Sequence, residues 1–306
     1  YLKDFSKPTV VLDDPILVET VKKGIGFVIF WLDYFDSHQV SAVVVSHDLY
    51  LTYGPVCKVA YMKQVPVYLP ENTGGTYAQR PHSTTSNFGE YRELFSKLPL
   101  EHQDRAREWA RGRLTHRFDG EVGVDMSYTT ESAFTWSGDE SPVLRKSDKL
   151  KVLICTHCFY DNPHPYGGML FLDFYEWLRH IVEIADRTDY DWYLKTHPDP
   201  LPGTMEAIRE ILGPSPRITI LPFLTSHHQV VAEKINFVLT VYGTVGFEYP
   251  ALGVQVINAG YNPRAAYDYN WHPQSVDEYD RLLLDLNNLP EKMIDMDQVY
   301  ESYFMY

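Results

Sequence analysis

Short apolar runs that alternate with helix-like segments are the feature of this sequence that most restricts its fold. The runs are rich in β-branched and aromatic residues, which is typical of buried strands, and the segments between them carry apolar residues at helical spacing. In the second half the predicted strands are Lys151–Cys155, Asp191–Lys195, Arg217–Leu221, Phe237–Val241 and Val254–Ile257. Because strands separated by helices usually pair in parallel, this alternation predicts an α/β protein with crossover helices.

The first half repeats the alternation less regularly. The predicted strands are Thr9–Leu12, Val40–Val45 and Val65–Leu69, and the predicted helices are Ile16–Phe35, Leu51–Met62 and Phe88–Arg117. A chain of 306 residues has room for two domains of about 100–200 residues each. Since 119–149 shows little periodicity, we predict an N-terminal lobe over residues 1–145 and a C-terminal lobe over 146–306. The last helix is expected to pack back on the N-terminal lobe.

Composition excludes several classes of protein. With 27 Lys and Arg against 41 Asp and Glu, the formal charge is −14, so the chain lacks a basic footprint for nucleic acid. An apolar fraction of 44% and an aromatic fraction of 14% exclude intrinsic disorder. Three cysteines do not form a disulfide framework, and the longest apolar run, Gly24–Leu32, is too short to span a bilayer. We therefore expect a cytoplasmic protein, and the missing initial Met suggests a domain of a larger one.

Polar residues follow many of the predicted strands. Ligands of open α/β sheets bind beyond the carboxyl ends of the strands, so these residues are the candidates for chemistry. They are Asp13, Asp14, Ser46, His47, Asp48, Thr156, His157, Asp161, Thr196, His197, Tyr242, Gly243 and Thr244.

The segment 240–253 is the most specific candidate, because a buried strand runs through Tyr242, Gly243 and Thr244 into a helix. A helix N-terminus offers free N–H groups to phosphate, and glycine lets a ligand approach the backbone closely. Gly246 continues the motif, and Glu248 lies one turn further on, where a carboxylate could accept hydrogen bonds from ribose hydroxyls. The alternative is an ordinary strand–turn–helix unit with Thr244 as the N-cap and Glu248 exposed to solvent.

Two further candidates follow neighbouring strands. In the motif 194–198 a strand that carries Lys195 ends at His197, which is followed by Pro, and an imidazole there could donate to a phosphate oxygen. Asp161, just after the strand 151–155, could act as a base or a nucleophile. The alternative for both His197 and Asp161 is a turn residue bonded to its own backbone.

No metal site is predicted. Cys155 and Cys158 form a lone pair in which strand alternation should turn the two thiols apart. The His227-His228 pair lacks further ligands at helical spacing, and the two Asp-x-Asp matches, at 189–191 and 295–297, do not follow strands. The arginine cluster of 105–117 is interpreted as a solvated helix face, with an acceptor-phosphate or membrane-surface role as the alternative.

Taken together, the His197-Pro198 pair and the Gly-Thr-x-Gly-x-Glu element about 45 residues later resemble the donor-binding lobe of GT-B glycosyltransferases. Within that fold, residues 150–265 are similar to bacterial capsule and surface-polysaccharide transferases of the Kdo-transferase and HP-motif type. The resemblance implies two doubly wound Rossmann-like lobes that face a central cleft. It also implies donor binding by His197, Lys195, Tyr242, Gly243, Thr244, Gly246 and Glu248.

The resemblance implies catalytic carboxylates as well. Asp161 corresponds to the active-site acid of the donor lobe, with Thr156 where the family has Gln. Asp13 and Asp14 correspond to the acidic pair of the first lobe, with Pro15 where the family has Gly.

The function implied by the resemblance is a metal-independent glycosyltransferase that needs no cofactor, because the nucleotide-sugar is a substrate. A CMP-Kdo-like acidic sugar is the first expectation for the donor, and a surface-polysaccharide or glycan acceptor, with a lipid-linked form included, for the partner. Peripheral contact with the inner membrane face is included in this expectation. The alternatives are a non-hydrolysing nucleotide-sugar epimerase and a non-catalytic nucleotide- or glycan-binding protein. Retention or inversion at the anomeric carbon stays open.

Overall fold

The computed structural model describes residues 1–70, 77–80, 87–125, 129–135, 141–197, 201–214 and 217–306. The chain divides into two compact units. The N-terminal unit contains residues 1–86 and 165–167, and the C-terminal unit contains 87–164 and 168–306. This division falls about 60 residues before the predicted lobe boundary at 145/146, because residues 87–145 pack with the C-terminal unit.

In its described residues the N-terminal unit combines two helices with a small mixed sheet. Its elements are α1 (Pro15–Ser37), β1 (Val43–Val44), α2 (Tyr50–Met62), β2 (Val67–Pro70) and β3 (Tyr77–Arg80). Strands β1 and β2 are parallel, and β3 pairs antiparallel with β2. The core of the unit is formed by Val43, Val56, Cys57, Ala60 and Val67. No helix in the described part of the chain is both long and apolar enough to cross a membrane.

One predicted strand of this unit is absent. Residues 9–12 form no strand: a bend at Thr9 is followed by a turn that begins at Leu12, and α1 starts at Pro15. Asp14 is the N-cap of that helix, with its Oδ1 accepting from the Ile16 N–H at 2.9 Å, and Pro15 occupies the first helical position.

The C-terminal unit begins with helices. A 3₁₀ turn (Phe88–Glu90), α3 (Tyr91–Ser96) and α4 (Leu100–Phe118) replace the single helix predicted over 88–117. The interruption lies at Pro99, which removes a backbone donor and restricts the residue before it. The last helix, α10 (Met296–Met305), packs against α4 with Val299 and Tyr303 in one cluster with Ala110 and Leu114. Helix α10 therefore packs against α4 within the C-terminal unit.

A five-stranded parallel sheet forms the centre of this unit. Its strands are β4 (Lys151–Cys155), β5 (Asp191–Lys195), β6 (Ile218–Ile220), β7 (Phe237–Thr240) and β8 (Gln255–Asn258), in the spatial order β6-β5-β4-β7-β8. The helices between and after them are α5 (Phe174–Ala185), α6 (Thr204–Leu212), α7 (His227–Ala232), α8 (Val245–Ala251) and α9 (Val276–Leu284). This is a doubly wound Rossmann-like sheet, which confirms the predicted α/β class.

Both faces of the sheet are covered, as its continuous apolar strands require. Successive residues of a strand point to opposite faces. Ile154 and Leu194 therefore pack with Trp177 of α5 on one face. Leu153 and Tyr193 pack with Tyr249 of α8 on the other. The strand order reverses at β4, and the carboxyl ends of β4 and β7 form the switch point at which such sheets bind ligands.

Candidate functional site

The turn that follows β7 is held in place by a histidine from the neighbouring strand. His157, two residues after β4, accepts a hydrogen bond at its Nε2 from the Val241 N–H at 3.2 Å. The Thr240 hydroxyl lies 3.1 Å from the same nitrogen, and its oxygen accepts from the Gly243 N–H at 3.2 Å. Because Nε2 accepts from a backbone amide, the imidazole is neutral, with its proton on Nδ1. These bonds join the carboxyl ends of β4 and β7.

The surroundings of His157 keep it uncharged. Its ring stacks on Phe174 at 4.5 Å and lies 4.7 Å from the ring of Tyr242. Burial, with smaller contributions from the charges of His197 and Arg264, lowers the pKa of His157 to about 3. His157 is therefore a permanent hydrogen-bond acceptor near neutral pH and does not act as a proton donor there.

Tyr242 connects the turn to the loop that carries Asp161. Its hydroxyl donates to the Asn162 carbonyl at 2.9 Å. Asp161 is exposed, and its own N–H donates to the Cys158 carbonyl at 3.3 Å. The structure thus brings the predicted carboxylate onto a loop anchored to the predicted donor-binding turn.

A fully buried arginine lies beneath this turn. Arg264 donates from Nη1 to the Tyr242 carbonyl at 3.2 Å and from Nη2 to Asn258 Oδ1 at 3.0 Å, and its guanidinium lies 4.6 Å from the ring centre of Phe247. A Cβ at position 246 would lie 2.6 Å from Nη2, so glycine is needed there for the arginine to fit. The fixed positive charge favours an anionic group next to the turn.

Protein packing also explains why a glycine occupies position 243. A Cβ at this position would lie 2.9 Å from the Thr240 hydroxyl oxygen and 3.3 Å from Cε1 of His157. Both glycines that were predicted to admit a ligand therefore already admit protein side chains. The N–H groups of Thr244 and Val245, in contrast, donate to no acceptor in the part of the chain that the structure describes.

Glu248 is not exposed to solvent, contrary to the alternative that left it on a solvated face. It is buried and forms an ion pair with Arg117 of α4, which donates from Nε at 3.0 Å and also from Nη2. Arg117 Nη1 bonds Asp125 at 2.9 Å, and Nη2 lies 3.5 Å from the Thr244 hydroxyl. Burial by itself would lower the pKa of Arg117, but the carboxylates of Glu248 and Asp125 raise it. Arg117 bonds only Oε1 of Glu248, so the predicted ribose contact would use Oε2.

His197 and Lys195 lie at the end of β5, next to β4. His197 is exposed, and its charge helps to lower the pKa of His157, so the two imidazoles are electrostatic neighbours. Lys195 is buried, on the sheet face that carries Tyr193, and its Nζ lies 3.4 Å from the Phe223 carbonyl. Pro198, the second residue of the His-Pro pair, lies outside the described residues.

The acidic pair of the N-terminal unit has a local role. The Asp14 carboxylate caps α1, accepts from the Tyr1 hydroxyl at 2.7 Å and lies 3.1 Å from the Lys7 amine. Hydrogen bonds from Tyr1 and Ile16, with help from Lys7, lower the pKa of Asp14. Asp13 is exposed in the turn before α1. The catalytic role of Asp13 and Asp14 stays a prediction.

No group of three or more His, Cys, Asp or Glu side chains suited to a metal ion exists among the residues with described positions. Burial raises the pKa of Cys155 to about 12, so this thiol is neutral and unreactive.

Sequence reasoning did not assign roles to three residues of the site. His157 was noted only as a polar residue at a strand end, and Arg117 was interpreted as part of a solvated face. Arg264 was not considered, although an arginine within six residues of the carboxyl end of a buried strand is a usable signal.

No family model and no curated protein matches the sequence. Among solved structures, KpsC of Thermosulfurimonas dismutans, described as a beta Kdo 2,4 transferase, aligns with 86% of this chain and 79% of its own at 11% identity and a TM-score of 0.49. S. aureus MnaA, solved with UDP, aligns with 92% of this chain and 72% of its own at 14% identity and a TM-score of 0.35. Both TM-scores lie below 0.5, so the residues of this chain carry the functional interpretation.

Proposed function

We propose that this chain is a glycosyltransferase that moves a sugar from a nucleotide-sugar donor to a glycan acceptor without a metal ion. The observation that carries this proposal is the turn at the switch point of the sheet, fixed by His157 and underlain by Arg264. Asp161 lies on the loop after β4, the strand next to β7, and His197 lies on the loop after β5, one strand further along the sheet. A preorganised turn of this kind, with free N–H groups and a buried cation, suits a phosphate group.

In this proposal the leaving phosphate binds at the turn. The N–H groups of Thr244 and Val245 donate to its oxygens, His197 donates from its imidazole, and Arg264 supplies a fixed positive charge. Groups that are already oriented stabilise the charge that develops on the leaving group, as a metal ion does in other transferases. Glu248 holds Arg117 beside Thr244. Its role in the sugar-nucleotide site is therefore to position Arg117 through their ion pair.

Asp161 is assigned to the chemical step. As a base it removes the proton of the acceptor hydroxyl, whose oxygen then displaces the phosphate with inversion. As a nucleophile it first replaces the phosphate at the anomeric carbon, and the acceptor then displaces the carboxylate with net retention. A CMP-linked acidic sugar, a surface-polysaccharide acceptor and work at the cytoplasmic membrane face follow from the family resemblance and belong to the same proposal.

The first test is a thermal-shift panel with CMP, CDP, UDP, GDP, dTDP and AMP, each with and without EDTA. A ligand at 100 times its Kd stabilises the folded state by about 2.7 kcal/mol, which a melting curve resolves. We expect one nucleotide to raise the Tm equally in both conditions, and His197→Ala to reduce that shift. His102→Ala, an exposed histidine of α4, serves as the matched control and should keep it. A panel without any shift would contradict the proposal.

A second test separates the transferase from its two alternatives. Asp161→Asn should abolish sugar transfer while the nucleotide-induced Tm shift is kept. Interconversion of the donor sugar in the absence of any acceptor would instead identify an epimerase. Wild-type protein that binds nucleotide and shows no turnover with any acceptor would identify a non-catalytic binding protein.

A further inference from the structure

A cavity of about 160 Å³ lies on the α7 and α8 face of the central sheet, opposite to the α5 face against which His157 stacks. Its walls include Lys195, Thr225, Phe223, Glu131, Ser132 and Thr135. A cavity of roughly 150 Å³ accommodates benzene in another protein, so this one has room for a single six-membered ring.

Within the described part of the chain, the wall of this cavity contains two charged residues, Lys195 and Glu131. Lys195 is buried, with 3% of its surface exposed. No carboxylate among the described residues lies within ion-pair distance of its amine, and its one hydrogen bond there, to the Phe223 carbonyl, is long at 3.4 Å. Glu131 lines the same cavity but is exposed to solvent and forms no ion pair with Lys195. A buried ammonium without a counter-charge is unfavourable, so this position is suited to receive an anion.

The ionisable groups that act on Lys195 do not supply a negative charge. Cys155 is protonated, since burial raises its pKa to about 12. Burial also lowers the pKa of His227, with a further contribution from the charge of Lys195, so that imidazole is neutral. Burial lowers the pKa of the Lys195 amine itself, and an anion in the cavity would offset this effect.

A second wall residue lacks a partner. Thr225 is 4% exposed, and its hydroxyl oxygen forms no hydrogen bond within the described ranges of the chain. Buried hydroxyls are normally bonded, so an unsatisfied one beside an uncompensated cation indicates a missing acceptor. Phe223 adds an aromatic wall, and Ser132 and Thr135 add further hydroxyls.

We propose that this cavity binds the carboxylate or phosphate of a ligand the size of one six-membered ring, with Lys195 as its counter-charge and Thr225 as a second hydrogen-bond donor. The family resemblance implies that Lys195 binds the donor, whereas this proposal places Lys195 in a separate cavity that shares no residue with the turn at β4 and β7.

The test is a calorimetric titration of the full chain with three probes, namely glucuronate, inorganic phosphate and glucose. Glucose has the ring of glucuronate without the charge and should not bind. Binding of glucuronate alone indicates a ring carboxylate, and binding of phosphate indicates a phosphate subsite. Both outcomes support an anion site, whereas equal binding of glucose, or no binding of either anion, would overturn it.

Two variants assign the binding to this cavity. Lys195→Met should weaken the anion at least about tenfold, and Thr225→Val should weaken it severalfold. Lys195→Met should also raise the Tm of the protein without added anion by about 2–4 °C, because it removes an uncompensated buried charge. Lys146→Met, which replaces an exposed lysine, is the matched control and should change neither the anion affinity nor the Tm. Undiminished anion binding in Lys195→Met would refute the assignment.

The nucleotide panel and this titration are separate measurements on the same protein. Nucleotide binding that depends on His197 can fail while anion binding that depends on Lys195 is observed, and the reverse also holds. The two proposals are therefore distinguishable.

Discussion

Single side chains at the switch point act on the backbone of the turn. His157 illustrates this, because it supplies one acceptor to the Val241 N–H and is kept neutral by burial. In the unfolded chain the same imidazole titrates near its ordinary pKa of about 6.5. As the pH falls below that value, the unfolded state binds a proton and the folded state does not. His157 therefore lowers stability on acidification between about pH 6.5 and the folded pKa of about 3.

A pair of substitutions at this residue tests both roles. His157→Gln should keep an acceptor for the turn and reduce the pH dependence of the unfolding free energy by up to about 1.4 kcal/mol per pH unit in that window. His157→Leu should lose the same pH dependence and also cost about 1–3 kcal/mol, because buried donors are left without an acceptor. Urea denaturation across the acid range measures both quantities. An unchanged slope in His157→Gln would show that this histidine is protonated in the folded state.

At the scale of elements, α4 is fastened to α8 and α10 by one charged network. Arg117 bonds Glu248 on α8 and Asp125, and the Tyr303 hydroxyl of α10 donates to Asp125 at 2.5 Å. Removing one partner of a buried pair leaves a charge uncompensated, which costs about 3–5 kcal/mol, whereas replacing both with apolar groups can be nearly neutral.

We therefore expect a double-mutant cycle on this pair to be strongly non-additive. Arg117→Met and Glu248→Leu should each destabilise the protein by a few kcal/mol, and the double variant that carries both substitutions should lose less than their sum, as measured by urea denaturation. The exposed pair of Glu93 on α3 and Lys97 just after it, 2.6 Å apart, is the control and should show a coupling of about 0.5 kcal/mol or less. Additive effects at Arg117 and Glu248 would mean that their contact is absent in solution.

Elements with strong local signals could be predicted from the sequence, and contacts between distant elements could not. The strands 151–155 and 191–195 match their predicted bounds to the residue. Their apolar runs end in turn residues, so the local pattern determines them. The ion pair of Arg117 with Glu248 spans 131 positions, and no local periodicity indicates it.

At the scale of the whole molecule, residues 87–145 belong to the unit that carries the candidate site. Ala106, Ala110 and Leu114 of α4 are buried, and Arg117 reaches the turn before α8. A C-terminal lobe that began at residue 146 would lack α4 and therefore all of these contacts.

Truncation distinguishes the two boundaries. A chain of residues 87–306 should melt cooperatively, because it keeps the packing of α4 against α10. A chain of residues 146–306 should lose cooperative melting, since it exposes the apolar cluster around Val299 and Tyr303 to water. Calorimetry of both fragments checks this, and equal cooperativity of the shorter fragment would support the predicted boundary at 145/146.

The pairing of β4 with β7 also has a consequence for folding kinetics. Val152 pairs with Trp192 on one side, 40 positions away, and with Phe237 on the other, 85 positions away. Contacts between residues far apart in the chain form slowly, because a long loop must close first. The hydrogen bond from the Val241 N–H to His157 joins the ends of β4 and β7, the two strands that are further apart in the sequence. Intermediates that contain only β4, β5 and β6 would therefore be compact and still lack the site, so ligand binding should appear late during refolding.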